Sequence, residues 1–250
     1  MDLKEFFEAN PSCALAFSGG VDSSYLLYSA SRFCKRLGVY YVKSLFQPSF
    51  EMEDAKRLCE ELGVTLNIIE ADVLSDPVVV SNPQDRCYYC KRVIFEMITQ
   101  RALSDGYSLV IEGTNASDDI SDRPGYRALG EMKVASPLKE CGLTKDMIRE
   151  LSREAGLFTW DKPSYACLAT RIPTGEEITA DKLMTTEKGE GALMEMGFSD
   201  FRIRMAEGIA KIQLRKEQFP LLMEKREDIV KVLSPMYKGI TLDLEARNGE

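Results

Sequence analysis

The chain contains no histidine among its 250 residues. That absence excludes histidine general bases, Ser-His-Asp triads and His-dependent zinc hydrolase sites, so any metal must be held by thiolates or carboxylates. No apolar run reaches the about 18 residues that a membrane helix needs, which excludes a membrane span. The amino-terminal stretch Met1-Asp2-Leu3-Lys4-Glu5-Phe6-Phe7 reads as a short amphipathic helix. It lacks the apolar core and small-residue cleavage site of a signal peptide, so the expected location is cytoplasmic. Basic residues are in deficit, 32 against 40 acidic ones, for a formal net charge of -8. The field of the whole molecule therefore repels polyanions and argues against tRNA or DNA as a partner.

What is present suits one large catalytic domain with a smaller attached unit. Hydrophobic and charged fractions of 44% and 29% are ordinary for a globular protein. Over the first 160 or so residues, short β-branched or apolar runs at 13–17, 40–45, 66–69 and 109–112 alternate with helical patterns at 21–37, 51–62 and 90–104. This βαβα order predicts a doubly wound α/β domain with a parallel sheet. A further helix over 145–155 follows Thr144 as N-cap and ends before Gly156. Periodicity disappears from Trp160 to Gly175, which reads as an ordered, functional loop. A helix at 180–196, strands at 201–205 and 210–214, a helix at 220–233 and a strand at 240–244 then make a smaller α+β unit. The expected domains are 1–175 and 176–250.

The strand at 13–17 runs into Ser18-Gly19-Gly20-Val21-Asp22-Ser23-Ser24 and then into a helix. Backbone N–H groups from Gly19 to Ser24 are thereby left unpaired and pointing outward, a ready anion site. Gly19 and Gly20 permit close approach of phosphate oxygens, and Ser18, Ser23 and Ser24 add hydroxyl donors. Asp22 does not favour bare phosphate, so its role is with magnesium or in positioning the loop. The competing reading is an N-capped helix after a glycine turn. The string resembles the PP-loop of the ATP-pyrophosphatase superfamily, which includes GMP synthetase, NAD synthetase, tRNA thiolation enzymes and a group of sulfur transferases. The resemblance implies ATP cleaved between its α- and β-phosphates. No Gly-Lys-Ser/Thr follows the glycines, so kinase chemistry is a poor reading.

A second segment, Glu112-Gly113-Thr114-Asn115-Ala116-Ser117-Asp118-Asp119 continuing to Asp122-Arg123-Pro124-Gly125, follows the fourth strand and so lies at the same sheet edge. Gly113 and Thr114 can approach a nucleotide by backbone, and Arg123 can pair with a carboxylate or phosphate. A solvated acidic turn is the alternative.

Of the seven cysteines, Cys87 and Cys90 open a helix beside Lys91 and Arg92, and Cys167 stands alone in the ordered loop. An odd number of cysteines in a reducing compartment favours thiol or metal chemistry over disulfides. The helix N-terminus and the two cations favour thiolates. Structural zinc lacks a fourth ligand, an incomplete iron–sulfur cluster needs only three, and a redox pair plus a buried thiol is the third possibility. Cys13, Cys34 and Cys59 read as small apolar fillers, and Cys141 precedes a glycine turn.

Nearly the full length resembles the LarE family of ATP-dependent sulfur transferases. The resemblance rests on the Ser18–Ser24 loop, Gly113-Thr114-Asn115 with Asp122-Arg123-Pro124-Gly125, and Ser136-Pro137-Leu138. It rests equally on Thr159-Trp160-Asp161-Lys162-Pro163 and Ala166-Cys167-Leu168-Ala169-Thr170-Arg171-Ile172-Pro173. It implies adenylation of a carboxylate on a pyridinium-biscarboxylate mononucleotide, followed by sulfur attack and AMP release, in making the nickel-pincer nucleotide cofactor of lactate racemase. ATP and Mg2+ are implied, with Asp22 and Cys167 as catalytic residues. Family members with one cysteine at the position of Cys167 give up its sulfur, leaving dehydroalanine. Others hold a 4Fe–4S cluster on three cysteines, and Cys87, Cys90 and Cys167 place this chain with them. Asp119, Arg123, Arg171, Arg202 and Arg204 are the substrate-binding candidates. The family's Arg-x-Arg strand is followed by histidine and glycine, whereas Arg202-Ile203-Arg204 here runs into Met205-Ala206-Glu207-Gly208, which loosens the substrate assignment. The resemblance also implies a homo-oligomer, a hexamer assembled through the second unit. Rival readings are a tRNA thiolation enzyme, which the net charge opposes, an ammonia-dependent synthetase, which needs no cysteine triplet, and a non-enzymatic nucleotide-sensing or metal-storage module.

Overall fold

The computed structural model describes residues 1–118 and 124–247. They form two units, one of residues 1–72 with 85–162 and the other of residues 73–84 with 163 onward.

The first unit opens with α1 (Leu3–Ala9), fixed by a capping box. The Asp2 carboxylate accepts the Glu5 N–H at 2.8 Å and the Glu5 carboxylate accepts the Asp2 N–H at 2.9 Å, so two otherwise orphaned donors are satisfied. Then follow β1 (Ser12–Ala16), α2 (Val21–Phe33), β2 (Arg36–Lys43), α3 (Ser49–Glu61), β3 (Leu66–Glu70), α4 (Arg86–Ser104), β4 (Val110–Ile111), α5 (Pro124–Glu131) and α6 (Lys145–Glu154). The strands pair in the order β3-β2-β1-β4, all parallel. Cys13 to Leu15 and Val39 to Val42 are continuously buried rather than alternating, as strands covered on both faces must be. They pack on Leu26, Leu27 and Ala30 of α2 and Leu58 of α3. The chain steps outward from β1 to β3 and then crosses back to lay β4 on the other side of β1. That reversal makes a topological switch point between β1 and β4, where open sheets of this kind take ligands at their carboxyl ends. The doubly wound α/β class expected from the sequence is the one observed.

Some boundaries differ from expectation. Helix α2 stops at Phe33 because Cys34 is already extended and the Arg36 N–H donates to the Pro11 carbonyl at 2.9 Å, which starts β2 four residues early. Helix α4 starts at Arg86, so Cys87 and Cys90 both lie within its first turns. The helix expected over 220–233 breaks at Lys225 into Phe219–Glu224 and a second helix, Arg226–Leu233. Helix α5 went unexpected because Pro124-Gly125 reads as loop, although proline is well tolerated at the first helical position.

In the second unit α7 (Ala180–Glu195) packs on a sheet of β5 (Arg202–Ala206), β6 (Ile209–Gln213) and β7 (Gly239–Leu242). β5 and β6 form a hairpin whose two loop residues, Glu207 at φ 53 and Gly208 at φ 82, are both left-handed, the twist-matched geometry of tight hairpins. α8 (Arg226–Leu233) carries the chain across to β7, parallel to β6. Leu193, Ile203, Ala210, Ile212 and Leu233 form the core. The units do not divide near residue 175 as expected. Residues 163–175 belong with α7, and the excursion 73–84 joins them: Asn82 Nδ2 donates to the carbonyls of Ile172 at 3.3 Å and Pro173 at 2.7 Å, while the Gly175 N–H returns to the Asn82 carbonyl at 2.8 Å. Among the described residues no helix is long and apolar enough to cross a membrane.

Candidate functional site

The Ser18–Ser24 loop follows β1 at the switch point. Gly19 sits at φ +75, and a Cβ there would lie 3.0 Å from the Glu51 carbonyl oxygen, so the turn requires glycine. Gly20 is the N-cap of α2 and no side chain caps it, which leaves the first-turn N–H groups without an intrahelical acceptor. Ser23 Oγ donates to the Gly20 carbonyl at 3.1 Å and stands 2.9 Å from Ser18 Oγ, so the Ser18 hydroxyl donates to Ser23. Two buried polar atoms of the loop, Asp22 Oδ1 and Ser24 Oγ, have no partner. Leaving such atoms unmade is costly in a folded chain, and here they mark a place made for a ligand.

The segment after β4 meets this loop. A Cβ on Gly113 would fall 2.9 Å from the Ser23 nitrogen and 3.0 Å from its Cα, so only glycine lets β4 end against the first turn of α2. Gly113→Ala is expected to lower stability by about 1–3 kcal/mol and to weaken ATP binding, because neither colliding atom belongs to a movable side chain. Thermal melting and calorimetric titration with ATP check both. Buried Glu112 organises the segment: its carboxylate accepts the Thr114 N–H at 3.1 Å, the Thr114 hydroxyl at 2.7 Å and the Ser136 hydroxyl. The backbone N–H of Thr114, expected to face a nucleotide, is thus already engaged. The Asn115 side chain accepts the Ser117 N–H at 2.8 Å. Asp119 and Arg123 lie outside the described residues.

Two lysines that the sequence did not mark as site residues, Lys162 within the Trp160-Asp161-Lys162 motif and Lys145 at the start of α6, converge on the loop. Lys145 Nζ pairs with Asp22 Oδ2 at 2.7 Å. Lys162 Nζ lies 2.7 Å from Asp54 Oδ2 and 3.2 Å from the Gly19 carbonyl, with its side chain only 14% exposed. The loop lacks a lysine of its own, and these supply the cations from α6 and from the Trp160-Asp161-Lys162 turn. A signal existed: Lys145 is the first residue of a helix, where the dipole disfavours a cation.

In the second unit the three arginines expected on substrate hold the chain around Cys167. Arg171 is fully buried; its Nε and Nη2 donate to the two Glu190 oxygens at 2.9 and 3.0 Å, and its Nη1 to the Ala166 carbonyl at 2.9 Å and Thr170 Oγ1 at 2.8 Å. Arg202 Nη1 and Nη2 donate to the carbonyls of Phe201 and Ser164, both at 2.7 Å, and Arg204 Nη1 donates to the Thr170 carbonyl. Burial, then the neighbouring Arg171 and Arg247 charges, hold the Arg202 guanidinium down to about 10. Glu190 also accepts the Ile203 N–H at 2.8 Å and the Tyr165 hydroxyl. The Cys167 carbonyl receives the Thr170 N–H at 3.0 Å and the Thr170 hydroxyl at 2.8 Å, so the backbone that presents this thiol is pinned.

Cys87 is exposed and Cys90 half-buried on α4. The cation beside Cys87 is Arg86, whose Nη2 lies 3.8 Å from the sulfur. The two cations expected there have other contacts: Lys91 stands over the Tyr126 ring and Arg92 pairs with Glu96 at 3.1 Å. Cys87 and Cys90 belong to the first unit and Cys167 to the second. Among the described residues no three cysteine, aspartate or glutamate side chains are gathered as a metal-holding group.

No family model matches the chain. An uncharacterised protein of Synechocystis sp. is 32% identical over 249 residues, 98% of this chain and 92% of its own. The pyridinium-3,5-bisthiocarboxylic acid mononucleotide synthase of Lactiplantibacillus plantarum is 30% identical over 234 residues, 92% of this chain and 84% of its own. One of the subunits of the glutamine-hydrolysing GMP synthase of Methanococcus vannielii is 28% identical over 155 residues, 57% of this chain and 49% of its own. A partial match to a GMP synthase accords with the glycine-bend loop at the switch point, and near-full-length identity to the mononucleotide synthase reaches past that nucleotide domain: this chain belongs to the LarE family, ATP-dependent adenylating sulfurtransferases of the PP-loop superfamily.

Proposed function

We propose that the chain adenylates a carboxylate of pyridinium-3,5-biscarboxylate mononucleotide and converts it to a thiocarboxylate, a step toward the nickel-pincer nucleotide cofactor of lactate racemase. The observation that carries this reading is the uncapped Gly20 helix start with unpartnered Asp22 Oδ1 and Ser24 Oγ, in a chain alignable over 92% of its length with the named synthase.

A carboxylate is a poor electrophile. Its oxygen attacks the α-phosphorus of ATP, pyrophosphate leaves, and the acyl-adenylate then carries AMP as leaving group when sulfur attacks the carbonyl carbon. The loop N–H groups, with Lys145 and Lys162, stabilise charge on the phosphates, and such electrostatic stabilisation is the main source of rate in chemistry of this kind. The free oxygen of Asp22 suits Mg2+, which when bound would neutralise charge on the pyrophosphate. Arg202 and Arg204 act by fixing the strand and loop at Cys167, and any contact of theirs with the substrate phosphate comes in addition. Cys87, Cys90 and Cys167 would hold a 4Fe–4S cluster, whose chemistry when bound is to supply sulfide; three thiols and no imidazole are the right donor set. A second reading is favoured by the pinned backbone of Cys167: Cys167 itself gives up its sulfur and becomes dehydroalanine. A homo-oligomer, hexameric as in the family, and a cytoplasmic location complete the proposal.

Anaerobically purified protein incubated with ATP and the mononucleotide is expected to release AMP and pyrophosphate and to replace a substrate oxygen by sulfur, read by mass. Pyrophosphate release that requires tRNA, or ammonia with an amide product, would sink the proposal. Iron and acid-labile sulfide decide the sulfur source. About four of each per chain, lost in Cys87→Ala, Cys90→Ala and Cys167→Ala, are expected for the cluster. Iron-free protein that loses one sulfur from Cys167 establishes the second reading.

A further inference from the structure

Cys13 and Cys34 read in the sequence as separate apolar fillers. The structure brings their sulfurs to 3.4 Å, close enough for one thiol to hydrogen-bond the other. Cys13 is fully buried on β1, and Cys34 is half-buried at the C-cap of α2. The arrangement is asymmetric: Cys13 is fully buried, whereas Cys34 is partly exposed. Cys59, by contrast, is buried with its thiol pushed up to about 11 by burial, the condition of an inert core cysteine.

From this geometry we infer that Cys13 and Cys34 are a reactive dithiol, which a small-molecule disulfide converts to an intramolecular bridge. The Cys34 thiolate attacks one sulfur of the reagent, forms a mixed disulfide and expels one thiolate. The Cys13 thiol then attacks Cys34 Sγ and expels the second thiolate, which takes up the Cys13 proton. Two protein thiols are oxidised, one reagent disulfide is reduced to two thiols, and no other co-reactant is needed. Cys34, the partly exposed member, is the attacking sulfur; the hydrogen bond from Cys13 pulls its thiol down, while that same bond and burial push Cys13 up. The carbonyls of Arg36 and Pro11, 3.2 and 3.4 Å from Cys34 Sγ, accept hydrogen bonds from the thiol in its neutral state.

The bridge would span 21 positions and enclose the whole Ser18–Ser24 loop. It ties the amino-terminal part of β1 to the carboxyl end of α2, whereas the phosphate loop joins the opposite ends of those elements. Oxidation therefore acts as a staple that leaves the phosphate loop in place. It is expected to raise the thermal midpoint by roughly 5–10 °C with pyrophosphate release unchanged.

The test treats the reduced full chain with oxidised glutathione and maps peptides by mass. Expected are a linked Cys13–Cys34 peptide lacking two hydrogens and reversible by dithiothreitol, glutathione trapped on Cys34 in Cys13→Ser, and an unmodified Cys13 in Cys34→Ser. Cys34 left unmodified in the wild-type chain, or bridged to any cysteine other than Cys13, overturns the inference. A bridged protein with an unchanged midpoint overturns the staple.

Discussion

Replacing Glu190 by alanine is expected to lower the stability of the second unit by about 3–5 kcal/mol, the usual cost of leaving one member of a buried ion pair unmatched. Arg171 and Glu190 have side-chain exposures of 0% and 1%, so solvent cannot take over for the missing carboxylate. The Ile203 N–H and the Tyr165 hydroxyl lose their acceptor in the same change. Chemical denaturation followed by circular dichroism measures the loss; a cost below about 1 kcal/mol would show that the pair is not the support described. Replacing both partners by methionine removes the charges together and is expected to cost less than the single change. That recovery separates an unmatched charge from lost packing. Because Arg171 also holds the Ala166 carbonyl, the double variant should remain folded yet transfer sulfur poorly, with adenylation in the other unit intact.

Asp22→Asn is expected to slow substrate-dependent pyrophosphate release by about 100- to 1,000-fold while barely changing stability. The carboxylate has one oxygen paired with Lys145 at 2.7 Å and the other without a partner. An amide of the same shape keeps the packing and gives up the charge that would recruit magnesium. Lys145→Ala is expected to cost a similar order in rate, since it removes a cation from the place where pyrophosphate leaves. The two changes together decide how the pair works. Multiplying effects mean that each residue acts on the nucleotide separately once ATP has parted them, and a double variant no worse than either single one means that the ion pair acts as a unit. A magnesium titration of the rate gives an independent readout, because only the Asp22 change should shift the concentration needed.

The phosphate loop was legible because its chemistry is contiguous: seven consecutive residues between a strand and a helix carry their own geometry, and the switch point follows from a parallel sheet. The cations were not. Lys145 and Lys162 lie 123 and 143 positions from their partners in the loop, and nothing local to either declares that distance. Arg171, Arg202 and Arg204 read in the sequence as anion receptors, since burial cannot be read from a residue's identity; the structure adds donors from them to backbone carbonyls and to the side chains of Glu190, Thr170 and Gln213. That glutamate sits in an otherwise ordinary helix and attracted no notice. The end of α2 was missed because strand pairing, as of Arg36 with Ser12, overrode a helical pattern.

The excursion of residues 73–84 has a consequence for how the chain is made. Asn82 finds its acceptors on Ile172, 90 positions later, so during synthesis at about 5–20 residues per second this segment waits roughly 5–20 s before its partner leaves the ribosome. Meanwhile the nucleotide-binding sheet must close around a tethered strip that belongs elsewhere. A fragment begun at Pro163 would lack that strip altogether, and the two ends of such a cut would have to be supplied together for the second unit to assemble.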